Sequence, residues 1–535
     1  MSQGESTFYL TTPIYYVNDR PHIGHVYTTT VADVVARYHR LMGQRVFFLT
    51  GTDEHAAKVV DAAQRRSLSP QQWADQNAET FRQTFERLGM SHDDFIRTSE
   101  PRHKQRVSRY VGELLDSGDV YAGQYEGWYD AGQEEYVPEA KAKEYDYKSP
   151  IGGQLLIRKK EKNYFFRLSR YGTALLDWLE RNRHAVLPEA RRNEVIGRIN
   201  EGLADVPISR TGTGGWGIPV PGDPEQTIYV WIDALFNYLT TIDTDQRRSF
   251  WPANVHLIGK DILWFHAVIW PAVLMALSKR PAYDWVEVPG TIWAHSFWIS
   301  EGQKMGKSLG NFVDLEKLDQ YIDRFGLDAL RYYMATQGPM QSDDADFAES
   351  RFIEVYNADL ANTLGNCLNR IINMTQRYFD GKLPPPLPRD GSALFQFAGQ
   401  SDVAFVQACL ADYRSRMEQF HLAAAAQHAL KIVRAIDAYI EAHQPFKLAR
   451  KPGSGPQVGT MLATCAEAMR CASIALWPFM PGKVETIWQR LGCDGYSRAL
   501  ASNGPGQWDG WTGQWPALKA GTPVSGGPAL FARHT

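Results

Sequence analysis

Two hydrophobic rhythms run along the chain. Residues 7 to 17 form a dense run of aromatic and β-branched residues that reads as a buried strand. From 25 to 42 the apolar positions Val26, Val31, Val34, Val35 and Tyr38 fall at helical spacing. The apolar strand pattern returns at Val46 to Leu49 and closes at Gly51. Strand, helix and strand within about fifty residues predict a parallel βαβ unit. Ligands of such sheets sit at the C-terminal ends of the strands. The segments "NDRPHIGH" and "TGTDEH" both fall there.

From about residue 115 to 225 the texture changes to tyrosine, charge and glycine, as expected of an inserted α+β module. The stretches "TIYVWIDALFNYL" and "VHLIGKDILWFHAVIWPAVLMAL" then return to apolar strands followed by amphipathic helices, so the α/β domain resumes. After Asp346 the spacing is helical over 352–379, 402–421, 423–443 and 458–476, broken by "DGKLPPPLPRDG" and "RKPGSGP". The pattern predicts five segments: the first half of the α/β domain at 1–115, the insert at 116–225, the second half at 226–298, a loop region at 299–350, and an all-α region at 351–535. Its tail, rich in Gly, Trp and Pro, is expected to pack back on the body.

A chain of 535 residues exceeds what one core serves, which agrees with several domains. The formal net charge of −3 means that any polyanion must be held by local patches. Five cysteines, an odd number, lie at Cys367, Cys409, Cys465, Cys471 and Cys493, and none forms a C-x-x-C pair. That disfavours disulfide and zinc frameworks and points to a reducing cytoplasm. The start "MSQGESTFYL" has no basic, apolar leader and no 18-residue apolar run occurs, so neither export nor membrane insertion is expected.

Two segments carry candidate chemistry. Pro21 to His25 precede a helix, where backbone N–H groups and two imidazoles can meet phosphate oxygens. Gly24 would admit a close ligand, and Asn18 and Asp19 add polar groups. The second segment is "SEGQKMGKSLGN", residues 300–311, a glycine-rich loop with Lys304, Lys307 and Ser308 able to neutralise a polyphosphate. Taken singly, each reads more readily as an ordinary surface loop than as a site. In "IGKD", Gly259 and Asp261 follow a strand, where the carboxylate suits ribose hydroxyls or a helix N-cap. Asp53, Glu54 and His55 alternate in direction along a strand, so they do not make a three-ligand metal site.

Together the two segments bracket the split α/β domain, and this pairing resembles the class I aminoacyl-tRNA synthetases, whose signatures read HIGH and KMSKS. The chain has His22-Ile23-Gly24-His25 and Lys304-Met305-Gly306-Lys307-Ser308, with glycine at the family's first serine. Among these enzymes it is most similar to the methionyl-tRNA synthetases, in "TTPIYYVNDRPHIGHVYTT", "FLTGTDEH", "IYVWIDALFNYL", "IGKDILWFHAVIWPAVLMA", "KMGKSLGN", "ANTLGNCLNR" and "PALF".

The resemblance implies a Rossmann-like parallel-sheet catalytic domain split by an α+β connective insert and followed by an all-α anticodon-binding bundle. It implies methionine activation by ATP with Mg2+, transfer to tRNA(Met), and service in both initiation and elongation. His22, His25, Lys304 and Lys307 would be catalytic. Asn18, Gly24, Gly259, Asp261, Met305 and Ser308 would complete the ATP site. Ile14, Tyr16, Trp231, Ala234, Leu235, Tyr238, Ile262, Phe265, His266 and Trp270 would line the methionine pocket, an apolar and aromatic cavity suited to a thioether. Tyr238 and His266 would be the polar contacts to sulfur, and Asp53 would pair with the α-ammonium. Asn366, Arg370 and Phe446 would meet the anticodon, Phe446 replacing the family's Trp and keeping a stacking surface without the indole N–H.

The insert stretch "EGWYDAGQEEYVPEAKAKE" lacks the family's zinc-knuckle cysteines, so no structural zinc is expected. An insert of about 110 residues is small for a separate editing site. No OB-fold is appended, which favours a monomer. Other readings are a cysteinyl enzyme, disfavoured because no cysteine precedes Cys367, a catalytically silent RNA-binding relative, and a small nucleotidyltransferase, which would lack the long helical region.

Overall fold

Pro13 lies in the interior of the first strand, where it has no N–H for the ladder, and the computed structural model shows the consequence: the pairing register shifts between Thr11 and Ile14. The structure describes residues 6–132, 135–137, 139–211, 215–306, 309–493, 495–501 and 507–534. Strand β1 (Thr7–Tyr16) leads into helix α1 (Ile23–Leu41), then β2 (Arg45–Asp53) and β3 (Asp94–Arg97). Later come β4 (Val186–Leu187), α2 (Val230–Leu235), β5 (Val255–Gly259) and β6 (Thr291–His295). The sheet runs β3-β2-β1-β5-β6-β4, and every pair is parallel. Strand order reverses between β1 and β5, which places the ligand crevice beyond their C-terminal ends.

One boundary differs from the sequence reading. β4 lies inside the stretch assigned to the insert, yet it pairs with β6 at the edge of the main sheet. Two residues of strand leave no readable period. The rest of that stretch holds a four-stranded antiparallel sheet, whose main pair is Val120–Asp130 with Ile157–Phe166.

The C-terminal region is helical, built on Leu422–His443 and Gly455–Leu476. Its core is continuous with the inner face of α1, since Val31, Val35 and Tyr38 belong to the same buried cluster as Ile436 and Leu462. A buried ion pair crosses this junction: Arg331 Nη2 donates to Asp33 Oδ2 of α1 at 2.6 Å and to the Pro478 carbonyl at 3.3 Å. Toward the end of the chain, Leu383 N–H donates to Thr522 O, Val524 N–H to Gly381 O, and Asn357 Nδ2 to His534 O. No described helix is long and apolar enough to cross a membrane.

Candidate active site

Four strands of the sheet end at one cleft. Tyr16 of β1, Asp53 of β2, Gly259 of β5 and His295 of β6 all line a cavity of about 570 Å³. The register shift at Pro13 turns Ile14 and Tyr16 into it, with Pro13 itself on the wall.

α1 begins two residues earlier than its apolar period indicates because His22 caps it. His22 Nδ1 accepts the Gly24 N–H at 3.1 Å, and His25 Nδ1 accepts the His22 N–H at 3.3 Å, a reciprocal cap made from two imidazoles. The rings stack with centroids 3.8 Å apart. With both Nδ1 atoms accepting, a neutral ring at either position carries its proton on Nε2. Burial and the neighbouring His22 hold the His25 pKa well below its ordinary value, so His25 is a neutral donor. Gly24 has a reason beyond ligand approach. A Cβ there would come within 3.0 Å of His22 Cε1, so glycine makes room for the ring that caps it.

The two sequence motifs meet downstream of the 300–311 loop. Ile23 N–H donates to Val313 O at 3.1 Å, and the Phe312 ring stands edge-on to His22 at 5.3 Å. Within the loop, Gly306 N–H donates to Asn311 Oδ1 at 2.9 Å. Lys304 is exposed on a short hairpin strand, and Met305 packs against the core. Neither lines the cleft. Lys307 and Ser308 lie outside the described residues.

Across the cleft, Trp231, Ala234 and Leu235 of α2 form one wall with Tyr238, Ile262 and His266. The Phe265 ring lies against Trp231 with centroids 4.1 Å apart and is not on the wall. Trp270 is not on the wall either. It is fully buried behind Tyr238 and donates from Nε1 to His256 Nε2 at 3.2 Å. The cause is local: Phe265–Ile269 form a π-helical turn, which rotates the next residues off the face that α-helical spacing assigns.

Tyr238 and His266, the expected polar contacts to sulfur, both line the cleft and bond to each other. His266 Nδ1 lies 3.0 Å from the Ile262 carbonyl, which can only accept, so Nδ1 carries the proton and Nε2 takes the Tyr238 hydroxyl at 2.8 Å. The hydroxyl proton is thereby engaged within the protein. Asn18, Asp19 and Asp261 line the opposite end, the last with its carboxylate folded over Gly259.

The comparisons with known proteins decide the family. The model of tRNA synthetases class I (M) matches residues 8–145 and 142–372. The chain is 41% identical to a methionine–tRNA ligase of Halalkalibacterium halodurans over 92% of this chain and 74% of that one. With the enzyme of Thermosynechococcus vestitus the identity is 40%, covering 98% and 97%. The chain belongs to the class I methionyl-tRNA synthetase family. The fold agrees, with a TM-score of 0.87 at 32% identity to the Mycobacterium tuberculosis methionyl-tRNA synthetase in complex with methionyl-adenylate, covering 99% of this chain and 100% of that one. As a methionyl-tRNA synthetase it is a ligase that activates methionine with ATP and charges tRNA.

Sequence reasoning missed Thr28, Asn237, His295, Phe297 and Phe312 on the cleft wall. His295 was accessible to the strand-end rule, since it terminates β6 as Asp53 terminates β2. Its Nδ1 donates to the Ser296 carbonyl, and its Nε2 lies 2.7 Å from Thr28 Oγ1.

Burial lowers the pKa of both His266 and His295 to about 4. Unfolded histidine titrates near 6.5, so between those values the unfolded chain binds more protons and stability is lost as the pH is lowered. The contribution is complete above about 6.5 and declines by up to ~1.4 kcal/mol per pH unit per histidine toward pH 4. The urea midpoint is expected to drop from pH 7.5 to 5.0. In His266→Gln, whose amide oxygen can still accept from Tyr238, the drop is smaller; an equal drop contradicts the assignment.

Proposed function

We propose that methionine and Mg·ATP meet across this cleft, with Asp53 holding the α-ammonium and the His22–His25 turn holding the phosphates. The observation carrying this reading is that one cavity joins the buried Asp53 carboxylate, an apolar aromatic wall and the His22 and His25 imidazoles at a helix N-terminus. Magnesium enters as part of the nucleotide.

The methionine carboxylate is already ionised, so its attack on the α-phosphorus requires no base. Its oxygen bonds to phosphorus as the bond to the bridging oxygen breaks, and pyrophosphate leaves with the electron pair. Positioning and charge stabilisation carry that step. His22 and His25 donate to phosphate oxygens, Asp261 accepts from ribose hydroxyls, and Lys304 with Lys307 folds over the leaving pyrophosphate. The roles of Lys307 and Ser308 rest on the sequence motif alone. In the second step a terminal ribose hydroxyl of tRNA attacks the adenylate carbonyl and releases AMP.

The helical region supplies the tRNA contact. Asn366 is exposed and stands one turn before Arg370 on the helix Asn366–Phe379. Arg370 donates to Asp437 at 3.0 Å and to Glu441 at 2.6 Å, both on Leu422–His443, and half-buried Phe446 follows that helix. Charging of tRNA(Met) with methionine by the purified protein tests the reading. Arg370→Ala is expected to leave pyrophosphate exchange unchanged and raise KM for tRNA by roughly 10- to 100-fold, an Arg contact being worth about 1–3 kcal/mol. Equal KM values would remove Arg370 from the interface.

The insert is proposed to fold without zinc. No cysteine precedes Cys367, and Val137, Ala142 and Leu156 give the tip its own small apolar cluster. Elemental analysis of purified protein is expected to find no stoichiometric zinc, and one zinc per chain would overturn this.

A further inference from the structure

Behind the cleft lies a polar chain that none of these roles uses. Asp233, on α2 between Trp231 and Ala234, is wholly buried. Its Oδ2 is 2.5 Å from His55 Nδ1 and its Oδ1 is 2.7 Å from His103 Nε2. Burial alone would raise the Asp233 pKa, but the two imidazoles outweigh it and hold the carboxyl down at about 2. An ionised carboxylate only accepts, so His55 donates from Nδ1 and His103 from Nε2. His103 Nδ1 lies 2.9 Å from the Thr240 hydroxyl, which itself donates to the Asn237 carbonyl at 3.2 Å. His55 Nε2 has no hydrogen-bond partner among the described residues, and the ring's remaining support is the edge-on Trp216 at 5.4 Å.

The chain ties three elements. His55 follows β2, two residues beyond Asp53; Asp233 is on the helix bearing the pocket wall; His103 is on the helix Pro101–Asp116. We infer that His55, Asp233 and His103 form a positioning unit that fixes the gap between Asp53 and the Trp231–Ala234 wall, and so sets methionine affinity and side-chain selectivity. This rests on the reading of the cleft as a methionine site. One carboxylate gripping two donors converts loosening at either into a tilt of α2, and a displacement near 1 Å at a binding wall is enough to alter kinetics by orders of magnitude.

Amide isosteres separate positioning from mere packing, because Asn can place its N–H where Nδ1 lies and Gln where Nε2 lies. His55→Asn and His103→Gln are expected to keep the wild-type methionine KM in pyrophosphate exchange. His55→Gln and His103→Asn are expected to raise it about tenfold with KM for ATP unchanged, and to raise the relative rate with norleucine. Rates are normalised to active sites counted by adenylate burst, so that poorly folded enzyme does not enter. Methionine KM values within about twofold of wild type for the mismatched pair would overturn the inference, as would equal behaviour of matched and mismatched isosteres. If the unaltered protein shows no methionine-dependent exchange, the functional reading itself fails, and the inference with it.

Discussion

Replacing His25 by asparagine is expected to lower the rate of methionine-dependent pyrophosphate exchange by ~10²–10³, the usual effect of losing one preorganised donor to developing charge. The asparagine side-chain oxygen can still accept the His22 N–H that Nδ1 now accepts at 3.3 Å, so the helix start survives. What disappears is the proposed Nε2–H donor to phosphate. His25→Ala should show the same loss of rate with a lower melting temperature, since a missing cap costs about 1 kcal/mol. Exchange kinetics and thermal melts of the two variants check both halves. A melting temperature that falls equally in both, with exchange retained, would make the turn a capping device and nothing more.

The second large effect is expected at Asp53, which is 2% exposed at the end of β2 and lines the cleft beside Tyr238. Asp53→Asn preserves shape and removes the charge. A substrate ammonium brought to a buried site without its counter-charge costs about 2–5 kcal/mol, so kcat/KM for methionine should fall roughly 10³-fold. KM for ATP should hardly move, because the proposed phosphate site is the His22–His25 turn and not Asp53. Steady-state exchange with each substrate varied in turn measures this, and a parallel rise in both KM values would contradict the assigned contact.

Much of this site was legible because its residues end parallel strands, and strands announce themselves by composition. Asp53 and Gly259 could be placed by that rule alone, and His295 could have been. The resemblance in HIGH and KMGKS joined two segments far apart in sequence, and the structure supplies the physical link in Val313 and Phe312 against the α1 start. What could not be read depends on departures from regular period. Pro13 shifts the register of β1, and the π-helical turn at Phe265–Ile269 carries Trp270 into the core. Side-chain pairs such as His55 with Asp233, 178 residues apart, leave no local trace at all. Gly24 is conspicuous in the sequence, yet its structural duty toward His22 appears only when the ring is seen folded back on the backbone.

The central claim is that this cleft activates methionine. Pyrophosphate exchange by the purified protein, run with each of the twenty amino acids and Mg·ATP, tests it most directly. Exchange is expected to depend on methionine and to be strongly reduced with every other amino acid. Exchange driven by a different amino acid, or none with methionine, would contradict it.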